Sequence, residues 1–161
     1  MTMTSVIYSL WIVGRNGGLL FSKDIPGQKD SSTLGIDFND KLRLASSWFG
    51  MCGISSQLSP QPLSPSWSGG MHVLKADTFD LHSYQTLTGT TFMMVTSPNY
   101  RNAASVLKDT VYKLYCDYVL KNPFYEADQV IKSSLFDQKI VESLSRYSIG
   151  ASGVASAPLA A

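Results

Sequence analysis

The chain has almost no excess charge of either sign. Its 161 residues include 13 Lys and Arg against 12 Asp and Glu, which leaves a net charge of +1 at neutral pH. The basic residues are scattered along the chain, whereas a protein that binds polyanions normally carries a basic stripe or patch. We therefore expect neither a nucleic-acid partner nor electrostatic capture by anionic lipid.

Long apolar runs and cysteines are also scarce. The longest apolar-leaning run, "SVIYSLWIVG" from Ser5, is far too short to cross a bilayer, which takes about 20 apolar residues in a helix. No charged segment precedes it and no small-residue cleavage site follows it, so we expect neither a signal peptide nor insertion into a membrane. Cys52 and Cys116 fall in helical patterns and are interpreted as buried thiols of a reducing, cytoplasmic compartment.

Motifs for catalysis or cofactor binding are missing from the sequence. "GRNGG", residues 14–18, has closely spaced glycines after an apolar run, but neither a helix nor Gly-Lys-Ser/Thr follows it. A phosphate cradle needs a helix N-terminus behind it, so a hairpin turn is favoured. No Gly-x-Ser-x-Gly elbow occurs either. We expect no catalytic residues and no cofactor.

The two histidines are the remaining candidates for chemistry. If the strands around Asp77 form a hairpin that turns about this residue, His72 and His82 are equally distant from it and become cross-strand neighbours, with Cβ atoms about 5 Å apart. Two imidazoles could begin a zinc site, and Asp80 lies on the face of His82, but a structural site takes four ligands. A polar pair that faces solvent or a partner is therefore favoured, and we expect no metal.

Hydrophobic periodicity predicts five strands. "VIYSLWIV", residues 6–13, is apolar at nearly every position, as in a central strand covered on both faces. Asn16-Gly17 then indicates a hairpin with "LLFS". Three alternating runs, "HVLKAD", "TFDLHSYQT" and "TGTTFMMVTS", predict three more strands, with Gly89 in the last turn free to take a positive φ.

Three helices follow from steps of three and four between apolar residues. The first helix carries the stripe Phe38, Leu42, Ala45, Phe49 and Cys52 after the capping residue Asp37. The second runs over about 102–121 and ends before Pro123, and the third covers roughly 127–146. The order β-β-α-β-β-β-α-α predicts an α+β fold with a mostly antiparallel sheet.

Several segments together resemble one family. "VGRNGGLLF", "KLRLASSWFGMCGISSQLSP", "DTFDLHSYQTLTGTTF", "LKNPFY" and "SLFDQKI" occur in this order over nearly the whole chain. They resemble the longin-fold subunits of the TRAPP vesicle-tethering complex, of the synbindin (subunit 4) type. The resemblance implies a longin (profilin-like) domain over residues 1–147. The remaining segment, 148–161, has no charge and small side chains, so we expect it to be a flexible tail. Animal and fungal relatives carry an inserted domain where this chain has only the loop 23–35.

The resemblance also implies a function. It points to a non-catalytic core subunit in transport from the endoplasmic reticulum to the Golgi, cytoplasmic and peripheral at those membranes. The implied partners are other TRAPP subunits, namely a second longin subunit and Bet-type subunits, and through the assembled complex a Rab-family small GTPase. Such a complex would hold the nucleotide-free GTPase more tightly than the loaded one, which releases GDP faster.

Candidate interface residues come from four segments. The β-hairpin contributes polar and aromatic side chains, "KNPFY" exposes aromatics or folds them back as a plug at the helix end, and the adjacent "LF" of the third helix points one side chain outward. Trp48 lies beside the predicted stripe of the first helix. The candidates are Trp48, His82, Tyr84, Thr86, Lys121, Asn122, Pro123, Phe124, Tyr125 and Phe136.

Two alternative functions stay open at this point. The chain could be another longin module, such as the small subunit of an adaptor coat or the regulatory domain of a SNARE, although the latter should continue into heptads and a membrane helix. It could also be a small cytosolic enzyme, which would need a pocket that converges on His82 or His72.

Overall fold

A single antiparallel sheet organises the protein. The computed structural model describes residues 6–25, 36–58, 60 and 71–149. The strands are β1 (Ile7–Val13), β2 (Leu19–Asp24), β3 (Val73–Lys75), β4 (Asp80–Gln85) and β5 (Thr91–Thr96). Their order across the sheet is β2-β1-β5-β4-β3, and every neighbouring pair is antiparallel.

Three helices cover the sheet. Helix α1 is Phe38–Leu58 and α3 is Ser134–Ile149. Helix α2 runs without a break over residues 103–120, and its Val106–Val111 and Cys116–Leu120 segments have π-type hydrogen bonding. The chain order β-β-α-β-β-β-α-α is thus confirmed, and with it the longin-like α+β fold.

Alternation along the central strands divides the core between the two faces of the sheet. Leu10 and Ile12 of β1 pack with α2 and α3, whereas Trp11 and Val13 pack with α1. Both faces of β1 are therefore buried, which explains why its sequence is apolar almost throughout.

Two glycine-containing turns close the hairpins as predicted. The N–H of Gly17 donates to the carbonyl of Gly14, at 3.0 Å, and the N–H of Gly89 donates to the carbonyl of Thr86, also at 3.0 Å. Both glycines have positive φ, 80° and 90°, a conformation that other residues adopt only at a cost.

Helix α3 begins seven residues later than the periodicity predicted, at Ser134 instead of residue 127. The chain before it follows the edge of the sheet, because the N–H of Ile131 donates to the carbonyl of Leu20, at 2.9 Å. Asp128 has a φ of 65°, which is incompatible with a right-handed helix. Ser133 then caps α3, its hydroxyl accepting a hydrogen bond from the N–H of Phe136.

The predicted pairing of the two histidines is wrong by one residue. Val73, not His72, lies opposite His82, and the carbonyl of His72 instead accepts the N–H of Ser83. The turn holds two residues between Ala76 and Phe79, which are joined by a 2.9 Å hydrogen bond, so it does not centre on Asp77 alone. Since a slip of one residue moves every side chain to the other face, the two imidazoles lie on opposite faces of the sheet.

The buried stripe of α1 also differs from the prediction. Ala45 and Trp48 are buried against the sheet, with Leu42 and Cys52 packed beside them, whereas Phe38 and Phe49 are exposed. Trp48 can bury more apolar surface than either phenylalanine, and its step of three from Ala45 places both on one face of the helix.

The predicted tail overlaps α3 by two residues, since the helix continues through Ile149. The hydroxyl of Ser148 accepts a hydrogen bond from the N–H of Ile7, at 3.1 Å, which ties the last turn to β1. The rest of the predicted tail, 150–161, lies outside the described residues, as do 26–35 of the first predicted loop.

Candidate partner interface

Three of the predicted interface residues are buried within the protein itself. Trp48 is 2% exposed and Phe136 is fully buried, each in one of the two cores. Thr86 is buried in the β4–β5 turn, where its hydroxyl accepts the N–H of Thr90. Assigning these side chains to a partner was wrong, because the sheet and the turn already enclose them. On α3 it is Leu135 that points outward, at 59% exposed.

His82 and Tyr84 lie on the face of the sheet that α2 and α3 cover. The ring of Tyr84 packs on Phe92 and Tyr112, with ring centroids 6.4 and 6.1 Å apart. It thus contributes mainly to the core. His82 is half-buried and lines an open surface depression instead.

The "KNPFY" segment exposes one of its two aromatics. The side chain of Asn122 accepts the N–H of Phe124, at 3.1 Å, and this turn leaves Phe124 92% exposed. Tyr125 folds back against the core, and its hydroxyl donates to the carbonyl of Gln129. Lys121 pairs with Asp117 on the surface, at 2.7 Å, and Pro123 is exposed. The segment therefore acts as a plug through Tyr125 and presents Phe124 to solvent.

Contacts between distant loops hold Phe124 at one end of the sheet. Arg15, in the β1–β2 turn, forms a 2.7 Å ion pair with Asp128, and Gly89 of the β4–β5 turn lies against the side chain of Arg15. The loop after α2 is thereby fixed beside both turns. Leu87 and Val130 are also exposed in these segments.

A second apolar surface, on α1, was not predicted. Leu44, Met51, Ile54 and Leu58 are all exposed, and they are spaced by seven, three and four residues. This spacing places them on one side of the helix, next to the buried stripe. We call these four side chains the α1 stripe. The spacing of these four residues is visible in the sequence. They were not identified as an exposed row because only the stripe assigned to the core was considered.

The pKa shifts of the following titratable groups come from burial and from ion pairs on the surface rather than from activation for catalysis. Burial lowers the pKa of His72 and of His82. The hydrogen bond from Lys121 lowers the pKa of Asp117, and the one from Lys139 lowers that of Glu142. At neutral pH these histidines are neutral and these carboxylates are charged. Burial also raises the pKa of the Cys52 thiol, which reduces its reactivity.

Two further properties concern the described ranges alone. Within residues 6–25, 36–58, 60 and 71–149, no three His, Cys, Asp or Glu side chains lie close enough together to hold a metal ion. No helix in these ranges has the length and apolar content needed to cross a bilayer.

Comparison with known proteins gives the family. The model of the Sybindin-like family matches residues 7–147, which include every strand and nearly all of the last helix. The chain belongs to the Sybindin-like family.

Two of the similar family members carry the same description. Trafficking protein particle complex subunit 4 of Dictyostelium discoideum is 37% identical over 134 residues, covering 83% of this chain and 93% of that protein. The human protein of this description is 43% identical over 102 residues, or 63% of this chain, but the match covers only 44% of its own length. The chain thus spans less than half of the human relative.

A different subunit of that complex is also similar. Trafficking protein particle complex subunit 1 of Dictyostelium discoideum is 25% identical over 131 residues, covering 81% of this chain and 89% of that protein. This chain therefore resembles two differently named subunits of one complex.

Proposed function

We propose that the chain is a core subunit of a TRAPP-like vesicle-tethering complex in transport from the endoplasmic reticulum to the Golgi. In this proposal it binds a second longin subunit and Bet-type subunits, and it acts in the cytoplasm at the surface of those membranes. The assembled subunits form the platform on which a Rab-family GTPase exchanges its nucleotide.

The observation that carries the proposal is the α1 stripe together with the family relationship. Leu44, Met51, Ile54 and Leu58 form one exposed apolar row on a helix that is already packed on the sheet through Ala45 and Trp48. Exposed apolar patches of this kind mark surfaces that are covered in an assembly. A subunit partner that covers the row would gain about 25 cal/mol for each Å² of apolar surface removed from water.

Exchange on such a platform works by differential binding. A surface that fits the nucleotide-free GTPase better than the loaded one lowers the free energy of the empty state and so speeds release of GDP. Shaped surfaces suffice for this, and no acid, base or nucleophile of the chain takes part in a bond change. The chain is accordingly proposed to be non-catalytic on its own.

The alternatives receive less support. An adaptor-coat subunit or a SNARE regulatory domain would share the longin fold, but the family match favours a TRAPP subunit. An enzyme would need an enclosed pocket at His82 or His72, whereas the depression at His82 is open and His72 lies on the other face of the sheet.

Co-purification with a longin partner subunit tests the proposal. We expect the wild-type chain to form a stable complex with a subunit-1-type longin protein after co-expression, and Ile54→Asp to lose it. Leu135→Asp is the matched control, because Leu135 is 59% exposed and Ile54 is 61% exposed, both on helices. Equal loss of the complex in both variants, or none in either, would remove the support from the α1 stripe.

Release of labelled GDP tests the exchange step. The isolated chain should release no more GDP from the GTPase than buffer does, and stimulation should require the partner subunits. Stimulated release by the chain alone would contradict the proposal.

A further inference from the structure

An open depression lies between the β3–β4 edge of the sheet and the loop before α2. Its volume is about 560 Å³. It is on the side of the sheet that α2 and α3 cover, since Asp80 and His82 alternate along β4 with Leu81, which packs toward α1. The lining side chains are Val73, Lys75, Asp80, His82, Asn99, Tyr100 and Arg101.

Two cations at its rim are not neutralised by ion pairs. Lys75 and Arg101 are exposed, and neither forms an ion pair within the described part of the chain. Among the described lining residues the one acid is Asp80, which is buried, and its carboxylate accepts the N–H of Asn99, at 2.8 Å. With neutral His82 the depression has a net charge of +1.

The loop that carries Arg101 is held in an uncommon conformation. Asn99 and Asn102, on either side of Tyr100-Arg101, have φ values of 61° and 66°. Non-glycine residues rarely adopt positive φ, and such sites are often functional. Helix α2 begins directly after this loop without a side-chain cap, so its positive end adds to the local potential.

His82 supplies a polar group with no partner in the protein. Its Nε2 atom is buried and has no hydrogen-bond partner, and an unpaired buried polar atom normally costs free energy. His82 is one of the lining residues, so its imidazole lies beside a ligand seated in the depression. A protonated Nε2 donates to an oxyanion.

We propose that this depression binds a phosphate-type oxyanion, such as the terminal group of a phosphate monoester, through Lys75, Arg101 and His82. Phosphate oxygens are strong acceptors that suit cationic and imidazole donors. The buried carboxylate of Asp80 opposes the anion, but it is shielded by the Asn99 N–H, and the two cations outnumber it. The proposal concerns a surface other than the α1 stripe and does not depend on the TRAPP assignment.

The two histidines allow a direct test by NMR. The sequence has only His72 and His82, and they lie on opposite faces of the sheet, so His72 is an internal reference. Sulfate keeps a constant charge near neutral pH and is the first probe. It should raise the pKa of His82 by about 0.5 to 1, because a nearby anion favours the protonated imidazole, and leave the pKa of His72 unchanged. Binding should therefore strengthen as pH falls.

Matched charge variants show whether the response is local. The rise in the pKa of His82 on adding sulfate should disappear in the double variant Lys75→Gln with Arg101→Gln. Lys113→Gln with Lys132→Gln removes the same charge from exposed positions outside the lining and should keep it. Equal responses of the two histidines, or equal losses in the two double variants, would overturn the proposal.

Two phosphate monoesters distinguish the source of the ligand. Glycerol 3-phosphate should raise the pKa of His82 in the full chain. Co-sedimentation with phosphatidic acid vesicles, absent with phosphatidylcholine vesicles and lost in Lys75→Gln with Arg101→Gln, would indicate a lipid headgroup. A shift with the soluble ester alone would indicate a free phosphate compound. No shift of His82 with the soluble ester would overturn the proposal.

Discussion

At the scale of single residues, a tight constraint lies where the β1–β2 turn meets α1. Gly17 has a φ of 80°, and a Cβ added to it would lie 3.1 Å from Cδ1 and 3.2 Å from Cγ of Phe49. Both the positive φ of the turn and the packing against Phe49 thus require glycine at position 17. Phe49, exposed as it is, fixes the turn against α1.

We expect Gly17→Ala to lower the free energy of unfolding by about 1–3 kcal/mol, because the side chain adds left-handed strain and crowds Phe49. Gly50→Ala is the control. Gly50 lies within α1 with no atom within 4 Å of an added Cβ, so alanine should raise the stability by about 0.5–1 kcal/mol. Urea unfolding measures both. A Gly17→Ala protein as stable as wild type would show that the turn relaxes freely.

At the scale of elements, the segment between α2 and α3 seals one edge of the sheet. The N–H of Ile131 donates to Leu20 of β2, and Lys23 of β2 forms a 3.2 Å ion pair with Asp137 of α3. An edge covered in this way is protected from pairing with another chain. The late start of α3 is what makes this cover possible.

The start of α3 depends on Ser133, whose hydroxyl accepts the N–H of Phe136, at 3.3 Å. We expect Ser133→Ala to lower the free energy of unfolding by about 0.5–2 kcal/mol, as for other N-cap residues. Ser134→Ala, one residue further on and exposed, should change it by less than about 0.5 kcal/mol. Thermal unfolding followed by circular dichroism measures the difference. Equal effects of the two substitutions would argue against the cap.

At the scale of the whole molecule, the two histidines link stability to pH. Burial lowers the pKa of both in the folded protein relative to about 6.5 in the unfolded chain. Between the folded and unfolded values the unfolded chain binds more protons, so the free energy of unfolding rises with pH. This contribution is fully present above about pH 6.5 and is lost as the pH falls.

We expect urea unfolding to give lower stability at about pH 5.5 than at about pH 7.5. His72→Gln with His82→Gln should flatten this dependence, because it removes both protonation sites. Asp117 and Glu142 also have lowered pKa values, but they titrate below this range, and keeping them in the double variant tests the histidines alone. If the free energy of unfolding of the double variant depended on pH as steeply as that of the wild type, the linkage to the histidines would be refuted.

Much of the architecture could be predicted because it depends on patterns of residues that are close together in the sequence. The continuous apolar run of β1, the Asn16-Gly17 turn and the positive φ of Gly89 each follow from a few neighbouring residues, and all three are present. The exposed position of Phe124 was one of two open alternatives, since a short segment after a helix can turn either way. In the structure each alternative holds for one aromatic residue: Tyr125 packs against the core, and Phe124 is exposed to solvent.

The sequence by itself determined the order of strands and helices, the faces of the central strands and the family. Only the tertiary structure decided the rotation of α1 about Trp48, the pairing of Val73 with His82, the edge cover at Ile131 and the exposure of the α1 stripe. The physical reason is that periodicity fixes which residues share a face, whereas register, rotation and helix start depend on contacts with segments far away in the chain.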